Sequence, residues 1–241
     1  MERDKFNEFL LAGLEEMALR PDPALEEALW LYMQILREEN RKYNLTAIDR
    51  EEEIIRKHFL DSLVFFTKYD PAAGSRILDL GTGAGFPGLV MKLYQPDLEM
   101  VLVDSLQKRV NFLGLLIQEF KLKGVEALHA RAEELGQEEE YREKFDYVVS
   151  RAVAPLNILS EYTLPFLRLG GKAVYFKGPD CQKEVDEAEK AIELLGGKLK
   201  AVHQVEVPGL EGERYLLEIE KVQASPARYP RKAGMPKKRP L

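Results

Sequence analysis

From residue 76 onward, short apolar runs alternate with helical patterns, and this alternation constrains the fold more than any other feature of the chain. Helical patterns lie near residues 87–94, 106–122, 155–168 and 181–195. The apolar runs between them predict strands at 76–80, 99–103, 125–129, 145–149 and 172–176. Strands that alternate with helices form βαβ units, whose strands are parallel and buried. The sequence therefore predicts an α/β fold built on a parallel sheet.

The last two predicted strands, 198–207 and 214–221, are connected differently. Only the short segment 208–212, which contains Pro208, Gly209 and Gly212, lies between them. These turn residues are typical of a hairpin, and the segment is too short for a crossover helix. We therefore expect a mostly parallel, seven-stranded sheet that ends in an antiparallel hairpin.

The residues before the sheet predict three helices, at 3–20, 23–42 and 51–67, with Pro21-Asp22-Pro23 between the first two. In the second helix, Leu25, Leu29, Tyr32, Met33 and Leu36 recur at helical spacing on one face. We expect an N-terminal helical cap over 1–70, a core over 71–222 and a tail over 223–241, arranged as one structural unit.

Composition excludes several classes of protein. The chain has 241 residues and a single cysteine, Cys181, so an intrachain disulfide or a clustered cysteine metal site is impossible. No apolar run approaches the roughly 20 residues of a membrane span, and Glu2 and Asp4 stand where a signal peptide would be basic. We expect a cytoplasmic protein without metal or membrane partner. The sequence does not determine the oligomeric state, and a monomer is expected.

The tail differs from the rest of the chain in charge. Residues 223–241 contain six cations and no acid, so they carry +6 in a chain whose net charge is −6, and the remainder carries −12. Such a tail is typical of proteins that bind nucleic acid, although a solvated end that binds nothing has the same composition. Prolines at 226, 230, 236 and 240 are expected to prevent helix formation. We expect this extended tail to contact nucleic-acid phosphates and not to line a cofactor pocket; the contact residues would be Arg231, Lys232, Lys237 and Lys238.

The segment 77–88 carries the strongest local signal, a glycine loop between a strand and a helix. Gly83, Gly85 and Gly88 match the dinucleotide pattern G-x-G-x-x-G, and Asp104 lies where a ribose-binding acid is expected. The same segment contains Asp79, Gly81 and Gly83 at the spacing of the acidic loop of S-adenosylmethionine-dependent methyltransferases.

Charge favours the second interpretation. Asp79 would oppose the pyrophosphate of a dinucleotide, whereas a carboxylate beside the ammonium and sulfonium groups of S-adenosylmethionine is favourable. Asp104 accepts from ribose hydroxyls in either case and does not discriminate. Glycines that serve only a tight turn would not explain acids at two successive strand ends.

Residues after the third and fourth strands extend the predicted pocket. Ala132 and Glu133 are placed on the adenine side, and Arg151 lies where the methyl acceptor would approach. The fourth strand lacks the Asn/Asp-Pro-Pro-aromatic run that binds exocyclic amines. Methylation at carbon 5 of a pyrimidine needs a nucleophilic cysteine, and we expect Cys181 to be inert. A ring nitrogen with a free lone pair, such as guanine N7, fits best, but elimination alone does not name guanine.

Several motifs together resemble the glucose-inhibited division protein B family, the bacterial ribosomal RNA small subunit methyltransferase G. The resemblance spans nearly the whole chain, and its most specific parts are the Gly-Phe-Pro-Gly loop and the Arg-Lys-x-Gly-x-Pro tail. The motifs that carry it are Asn44-Leu45-Thr46, His58-Phe59-Leu60-Asp61-Ser62, residues 79–88, Arg151-Ala152-Val153-Ala154 and residues 229–236.

The resemblance implies a class I, Rossmann-like methyltransferase fold, S-adenosylmethionine as cofactor and N7 methylation of one guanine in 16S ribosomal RNA, as naked RNA or in the small subunit. The resemblance assigns no catalytic residue. We give neither His58 nor Asp61 a catalytic role. The cofactor positions that the resemblance implies are Gly81, Phe86, Asp104, Ser105, Leu106, Ala132, Glu133 and Arg151. The acidic-loop spacing adds Asp79 and Gly83 to this set.

Two other functions stay open at this point. A methyltransferase of a small molecule or protein would not need the basic tail. A regulatory protein that binds a nucleotide or S-adenosylmethionine would need neither acids at both strand ends nor Arg151 facing the crevice.

Overall fold

The structure, a computed structural model, describes residues 1–20 and 22–241. Pro21, part of the predicted break between the first two helices, lies outside the described residues. Helix α1 spans Arg3–Glu16, and α2 spans Pro23–Tyr43. Asp22 begins α2, because its side chain accepts a hydrogen bond from the Ala24 amide at 2.8 Å. The predicted apolar face of α2 is confirmed, since the buried residues of this helix are Leu25, Leu29, Tyr32, Met33 and Leu36.

The third predicted helix is confirmed as a continuous helical segment, but its winding changes along its length. Helix α3 spans Glu51–Ile54, a π-helix spans Ile55–Leu60, α4 spans Asp61–Leu63, and a 3-10 helix spans Val64–Thr67. π-Helical turns are rare and occur often at functional sites. This one carries His58 and ends beside Asp61.

The sheet has the predicted number of strands and the predicted strand directions. Its seven strands lie in the order β3-β2-β1-β4-β5-β7-β6. Neighbouring strands from β3 to β5 are parallel, whereas β7 is antiparallel to both β5 and β6, so the closing hairpin is confirmed. The strands are β1 at Arg76–Leu80, β2 at Glu99–Asp104, β3 at Val125–His129, β4 at Phe145–Arg151, β5 at Leu167–Lys177, β6 at Gly197–Val205 and β7 at Arg214–Lys221.

Helices cover both faces of the sheet. After β1 the chain forms α5 at Gly88–Tyr94, α6 at Gln107–Glu119, α7 at Ala132–Leu135, α8 at Leu156–Thr163, a 3-10 helix at Leu164–Phe166, α9 at Cys181–Leu194 and α10 at Met235–Lys238. Within residues 1–20 and 22–241, every helix is too short or too polar to span a bilayer.

The N-terminal helices and the sheet share one core. Side chains alternate along a strand, so Ile77 of β1 packs in a cluster with residues of α1 and α2, and Leu78 packs in a second cluster with residues of α8 and α9. The first cluster joins Phe6 and Leu29 of the N-terminal helices to Leu102 of β2. The helical segment thus packs directly on one face of the sheet.

The C-terminal tail does not have the extended form expected from its prolines. It folds back onto the body and ends in the short helix α10, in which Pro236 lies in the first turn. The prediction was wrong because a proline in the first turn of a helix loses no intrahelical hydrogen bond. Tyr229 of the tail is 5% exposed and packs in the second core cluster, where it anchors this segment.

Candidate functional site

A cavity of about 330 Å³ lies at the carboxyl edge of the parallel strands. We call it the glycine-loop cavity. Parallel strands bring their carboxyl ends to one edge, which is where ligands bind in open α/β sheets. Its lining residues are Leu80, Gly81, Val103, Asp104, Ser105, Arg109, Ala130, Arg131, Ala132, Glu133, Ala152, Val153, Tyr162, Gly234 and Lys237.

The structure brings together five of the predicted cofactor residues in this cavity, namely Gly81, Asp104, Ser105, Ala132 and Glu133. The other five, Asp79, Gly83, Phe86, Leu106 and Arg151, are not among its lining residues.

Two glycines shape the loop in different ways. Gly81 has a φ of +73°, and a Cβ at this position would lie 2.3 Å from Cγ2 of Val153. Gly81 therefore lets the loop pass close to the segment after β4. Gly83 has a φ of +62°, but a Cβ there would meet no atom within 4 Å. The backbone at Gly83 thus borders open space beside the cavity.

Asp79 lies at the end of β1 beneath the loop, with a fully buried side chain. Its Oδ2 accepts a hydrogen bond from the Gly88 amide at 2.7 Å, and its Oδ1 has no hydrogen-bond partner among the described residues. Burial raises the pKa of this carboxyl to about 6, although the Gly88 amide opposes the shift. Through Oδ2 the carboxylate holds the start of α5, and the role of Asp79 at the cofactor stays a prediction.

Asp104, at the end of β2, is held within the chain by both of its oxygens. Oδ2 accepts from the Gly83 amide at 2.9 Å and from the Arg109 guanidinium at 3.1 Å, and Oδ1 accepts from the Leu106 amide at 2.9 Å. A ribose would therefore compete with Arg109 for this carboxylate. Leu106 contributes its amide here, while its side chain is 44% exposed.

Sequence reasoning missed Arg109. Its Nε has no partner among the described residues, although the side chain lines the cavity. A cation in the first turn of a helix opposes the helix dipole, and this unfavourable position is the sequence signal that could have identified Arg109.

Phe86 belongs to an aromatic stack and not to the cavity lining. Its ring lies 4.2 Å from the His58 ring and 5.5 Å from the Tyr32 ring, both at 11° between planes. The Arg151 guanidinium lies 5.5 Å from the same ring. This ring thus joins the glycine loop to the N-terminal helices, and the cofactor role that the resemblance implies for Phe86 stays a prediction.

A second cavity of about 450 Å³ adjoins the first. We call it the Arg151 cavity. The two cavities share Ala152 and Val153, which follow β4. The second cavity is lined by Asp61, Val64, Arg151, Ala152, Val153, Ala154, Pro155, Phe176, Lys177, Gly178, Glu184, Val205, Arg214, Tyr215 and Leu216.

Arg151 is the last residue of β4 and connects the sheet to the π-helix. Its guanidinium forms an ion pair with Asp61 and donates to the Lys57 carbonyl at 3.0 Å and to Nδ1 of His58 at 3.4 Å. Three partners fix its direction into the second cavity. Arg151 therefore lines the second cavity and not the glycine-loop cavity, and its roles at the cofactor and at the methyl acceptor stay predictions.

His58 is held neutral by its surroundings. Burial first, and the Arg151 charge second, lower its pKa to about 3. Because Nδ1 accepts from Arg151, Nε2 carries the proton and donates to Oγ1 of Thr46 at 3.0 Å. His58 and Asp61 thus position Arg151, although the sequence assigned neither of them a role.

The Arg151 cavity has a second pair of charges that sequence reasoning missed. Lys177 of β5 donates to Glu184 of α9 at 2.6 Å, and Glu184 also accepts from the Leu156 amide at 2.7 Å. Arg214 reaches the same cavity because β7 is antiparallel, so its first residue lies at the carboxyl edge of the parallel strands. The order of the hairpin strands, which the sequence does not specify, is what places Arg214 there.

Cys181 fits the expectation that it is inert. Its side chain is 1% exposed at the start of α9, and burial raises the pKa of its thiol. A buried, protonated thiol is a poor nucleophile.

The tail cations divide into three groups. Arg231 is bound to Glu161 through two nitrogens, at 2.9 Å and 2.6 Å, and Glu161 is fully buried. This placement contradicts the expectation that Arg231 contacts phosphates, because its charge is already neutralised inside the fold. Lys237 lines the glycine-loop cavity, so the expectation that the tail lies outside this pocket was also wrong. Lys232 and Lys238 are exposed and stay available.

Comparison with known proteins places this geometry in context. A family model described as GidB, rRNA small subunit methyltransferase G, matches residues 25–214. A protein of Clostridium tetani named Ribosomal RNA small subunit methyltransferase G is 45% identical over 238 residues, covering 98% of this chain and 99% of that protein. A protein of the same name from Desulforamulus reducens is 49% identical over 210 residues, covering 87% of this chain and 88% of that protein.

A solved structure shows the same fold at much lower sequence identity. A variant of the 16S rRNA (adenine(1408)-N(1))-methyltransferase from Catenulisporales acidiphilia has a TM-score of 0.52 and 12% identity, covering 64% of this chain and 88% of that chain. The fold of the sheet and its helices is therefore that of a class I methyltransferase.

The raised pKa of Asp79 predicts how stability depends on pH. Between its unfolded pKa of about 3.9 and its folded pKa of about 6, the folded protein binds a proton that the unfolded chain does not. The free energy of unfolding therefore falls as pH rises through this window. In Asp79→Asn the amide oxygen still accepts from Gly88, and the charge is gone. Relative to the wild type, we expect the variant to gain up to about 3 kcal/mol between pH 4 and pH 7.

Urea unfolding at pH 4, 5, 6 and 7 measures this difference. Asp70→Asn, which changes an exposed carboxylate, is the control and should follow the wild-type profile. Parallel profiles for Asp79→Asn and the wild type would show that Asp79 is not the group that titrates in this window.

Proposed function

This chain belongs to the rRNA small subunit methyltransferase G family, and we propose that it transfers a methyl group from S-adenosylmethionine to N7 of a guanine in 16S ribosomal RNA. The observation that carries this proposal is the pair of adjoining cavities, which share Ala152 and Val153 at the end of β4. One cavity suits the cofactor and the other suits the base that receives the methyl group. Direct transfer requires two such sites to meet.

The glycine-loop cavity fits the cofactor in three respects. The loop backbone at Gly83 borders open space that a side chain would fill. Buried carboxylates at Asp79 and Asp104 surround the loop with negative charge, which favours a cation. Oδ1 of Asp79 has no hydrogen-bond partner among the described residues. We assign Gly81, Asp104, Ser105, Ala132 and Glu133 to the cofactor and give Asp79 and Gly83 the role of shaping the loop.

The Arg151 cavity has the walls that a flat, polar base requires. Phe176, Tyr215 and Pro155 supply apolar surface, whereas Arg151 and Arg214 supply hydrogen-bond donors. Its volume of about 450 Å³ lies within the usual range of small-molecule sites. A base drawn from an RNA strand would stack and donate or accept at its edges in such a pocket.

The reaction requires little from the protein beyond positioning the methyl donor and the base. S-Adenosylmethionine supplies a methyl group that forms a bond to the N7 lone pair as its bond to sulfur breaks, so the positive charge passes from sulfur to the base. N7 carries no proton, and the reaction needs no general base. His58 agrees with this scheme, because it is neutral and both its nitrogens are hydrogen-bonded to the chain. The protein's task is alignment and exclusion of water.

The organisation of the chain supports action as a single unit. Residues 1–70 would form the helical cap, 71–222 the methyltransferase core and 223–241 the RNA-binding tail. We propose that the protein acts as a monomer. Since ribosomal RNA is the substrate in this family, we place the reaction in the cytoplasm.

Methyl transfer tests the function directly. The purified protein is incubated with labelled S-adenosylmethionine and either naked 16S rRNA or small subunits from a strain that lacks this methylation. We expect label in 7-methylguanosine after nucleoside digestion. Cys181→Ala should retain almost full turnover, since no covalent enzyme–RNA step is needed. Label in another nucleoside, label in protein, or cofactor binding without transfer would each reject the proposal, and the last outcome would indicate a regulatory protein.

Gly83→Ala tests the glycine-loop cavity. A Cβ at residue 83 would enter the open space beside the loop, and we expect the dissociation constant of S-adenosylmethionine to rise about tenfold or more, which corresponds to 1.4 kcal/mol. Gly74→Ala is a matched control, because Gly74 also has a positive φ, +77°, and no atom within 4 Å of an added Cβ. Both variants should lose about 1 kcal/mol of stability from backbone strain.

Isothermal titration calorimetry of both variants separates the two effects. Equal cofactor affinity in Gly83→Ala and Gly74→Ala would show that the cofactor does not approach the loop at this point.

The exposed tail lysines test the RNA contact. Each phosphate contact that is lost removes roughly 0.7 to 0.9 from the slope of log affinity against log salt. We expect the double variant Lys232→Ala/Lys238→Ala to bind 16S rRNA more weakly and with a flatter salt dependence. Filter binding at several salt concentrations measures the slope. Lys183→Ala/Lys190→Ala removes two exposed lysines of α9 and should not change it; identical slopes in both double variants would contradict the role of the tail.

A further inference from the structure

The C-terminal segment, residues 226–241, runs from a buried anchor to the rim of the glycine-loop cavity. The anchor is Glu161 of α8, whose side chain is fully buried. It accepts the Arg231 amide at 2.7 Å, as well as the two guanidinium nitrogens of the same residue. Glu161 therefore fixes both the backbone and the side chain of Arg231.

This anchor is built into the fold. A buried carboxylate without a partner costs several kcal/mol, and a two-nitrogen arginine contact with an added backbone amide satisfies it. Arg231 also donates to the Arg239 carbonyl at 2.8 Å, so the same side chain closes the segment around α10. The segment consequently has a defined path over α8.

A second carboxylate joins the segment to the cavity itself. Oε1 of Glu133 accepts a hydrogen bond from the Gly234 amide at 2.9 Å. Glu133, Gly234 and Lys237 all line the glycine-loop cavity. One wall of this cavity is thus supplied by residues about 100 positions along the chain from Glu133.

We propose that residues 226–241 form a wall of the S-adenosylmethionine site, that Glu161 is the positioning residue that holds this wall in place, and that docking of the segment and cofactor binding are coupled. The inference rests on the proposed function, because it takes S-adenosylmethionine as the ligand of the glycine-loop cavity. Since coupling between two equilibria is reciprocal, a change that loosens the segment weakens cofactor binding, and the bound cofactor protects the segment.

Coupling also gives the tail a role in ordering the reaction. Lys232, Lys237 and Lys238 lie on the same segment and are exposed, and Lys237 also lines the cavity. Binding of the cofactor would fix the segment that presents these lysines to RNA. The protein with cofactor bound would then be the form that holds RNA best.

Two variants test the wall without relying on one another. Glu161→Gln removes the charge that Arg231 neutralises, and Lys237→Ala removes the tail side chain that faces the cavity while leaving the buried pair intact. We expect each to raise the dissociation constant of S-adenosylmethionine about tenfold, within the usual range for coupled sites. Lys183→Ala is the control, because this exposed lysine of α9 lies outside the segment and is not among the residues that line the cavity. Calorimetry without RNA measures all four proteins, and thermal melting checks that they fold.

Limited proteolysis of the wild type gives an independent measurement. Trypsin cleaves after Arg228 and Lys232 in the segment and after Lys123 in the exposed loop before β3. We expect saturating S-adenosylmethionine to slow cleavage in the segment at least fivefold and to leave cleavage after Lys123 unchanged.

The outcomes separate the two proposals. Wild-type protein that does not bind S-adenosylmethionine would overturn both the proposed function and this inference. Wild-type binding with unchanged affinity in Glu161→Gln and Lys237→Ala, or with cleavage of the segment that the cofactor does not alter, would overturn the inference alone.

Discussion

Buried carboxylates that accept backbone N–H groups hold the loops around both cavities in place. A carboxylate that leaves water needs strong donors, and a backbone amide is the donor that every loop carries. Each such bond also fixes a loop at one point. The buried pairs are Asp79 with the Gly88 amide, Asp104 with Gly83, Glu133 with Gly234 and Glu161 with Arg231, and the half-buried Glu184 accepts from Leu156 in the same way. The glycine loop, the segment after β4 and the C-terminal segment all depend on this one kind of contact.

This constraint explains which site residues the sequence predicts and which it does not. Acids at the ends of β1 and β2 are visible as a pattern, and Asp104 does line the cavity. The pattern does not indicate whether a carboxylate binds a ligand or accepts a hydrogen bond from an amide of its own chain, because the residue that donates can be distant in sequence. Glu133 shows this, since its partner is Gly234 in the tail. Five of the ten residues predicted for the cofactor therefore line one cavity, and the other five are not among its lining residues.

The fold was more predictable than the site, because the spacing of apolar residues reports local structure directly. The bounds predicted for β1, β3 and β7 are those observed, as is the buried face of α2. The prediction for the tail was incomplete because the charge of Arg231 was counted without its partner, Glu161. Glu161 stands on a buried face of α8, and an acid in that position is itself a signal that a cation must reach it. Net charge cannot reveal that pairing, whereas burial can.

The N-terminal helices are part of the site and not only a cover for the sheet. Phe86 of the glycine loop stacks on His58, and His58 also accepts a hydrogen bond from Arg151 of the second cavity. One residue of the π-helix thus contacts the supports of both cavities. His58 and Asp61 lie three residues apart, about one helical turn, so both side chains contact Arg151. The supports of the two cavities therefore meet at a helical segment that precedes the sheet in the chain.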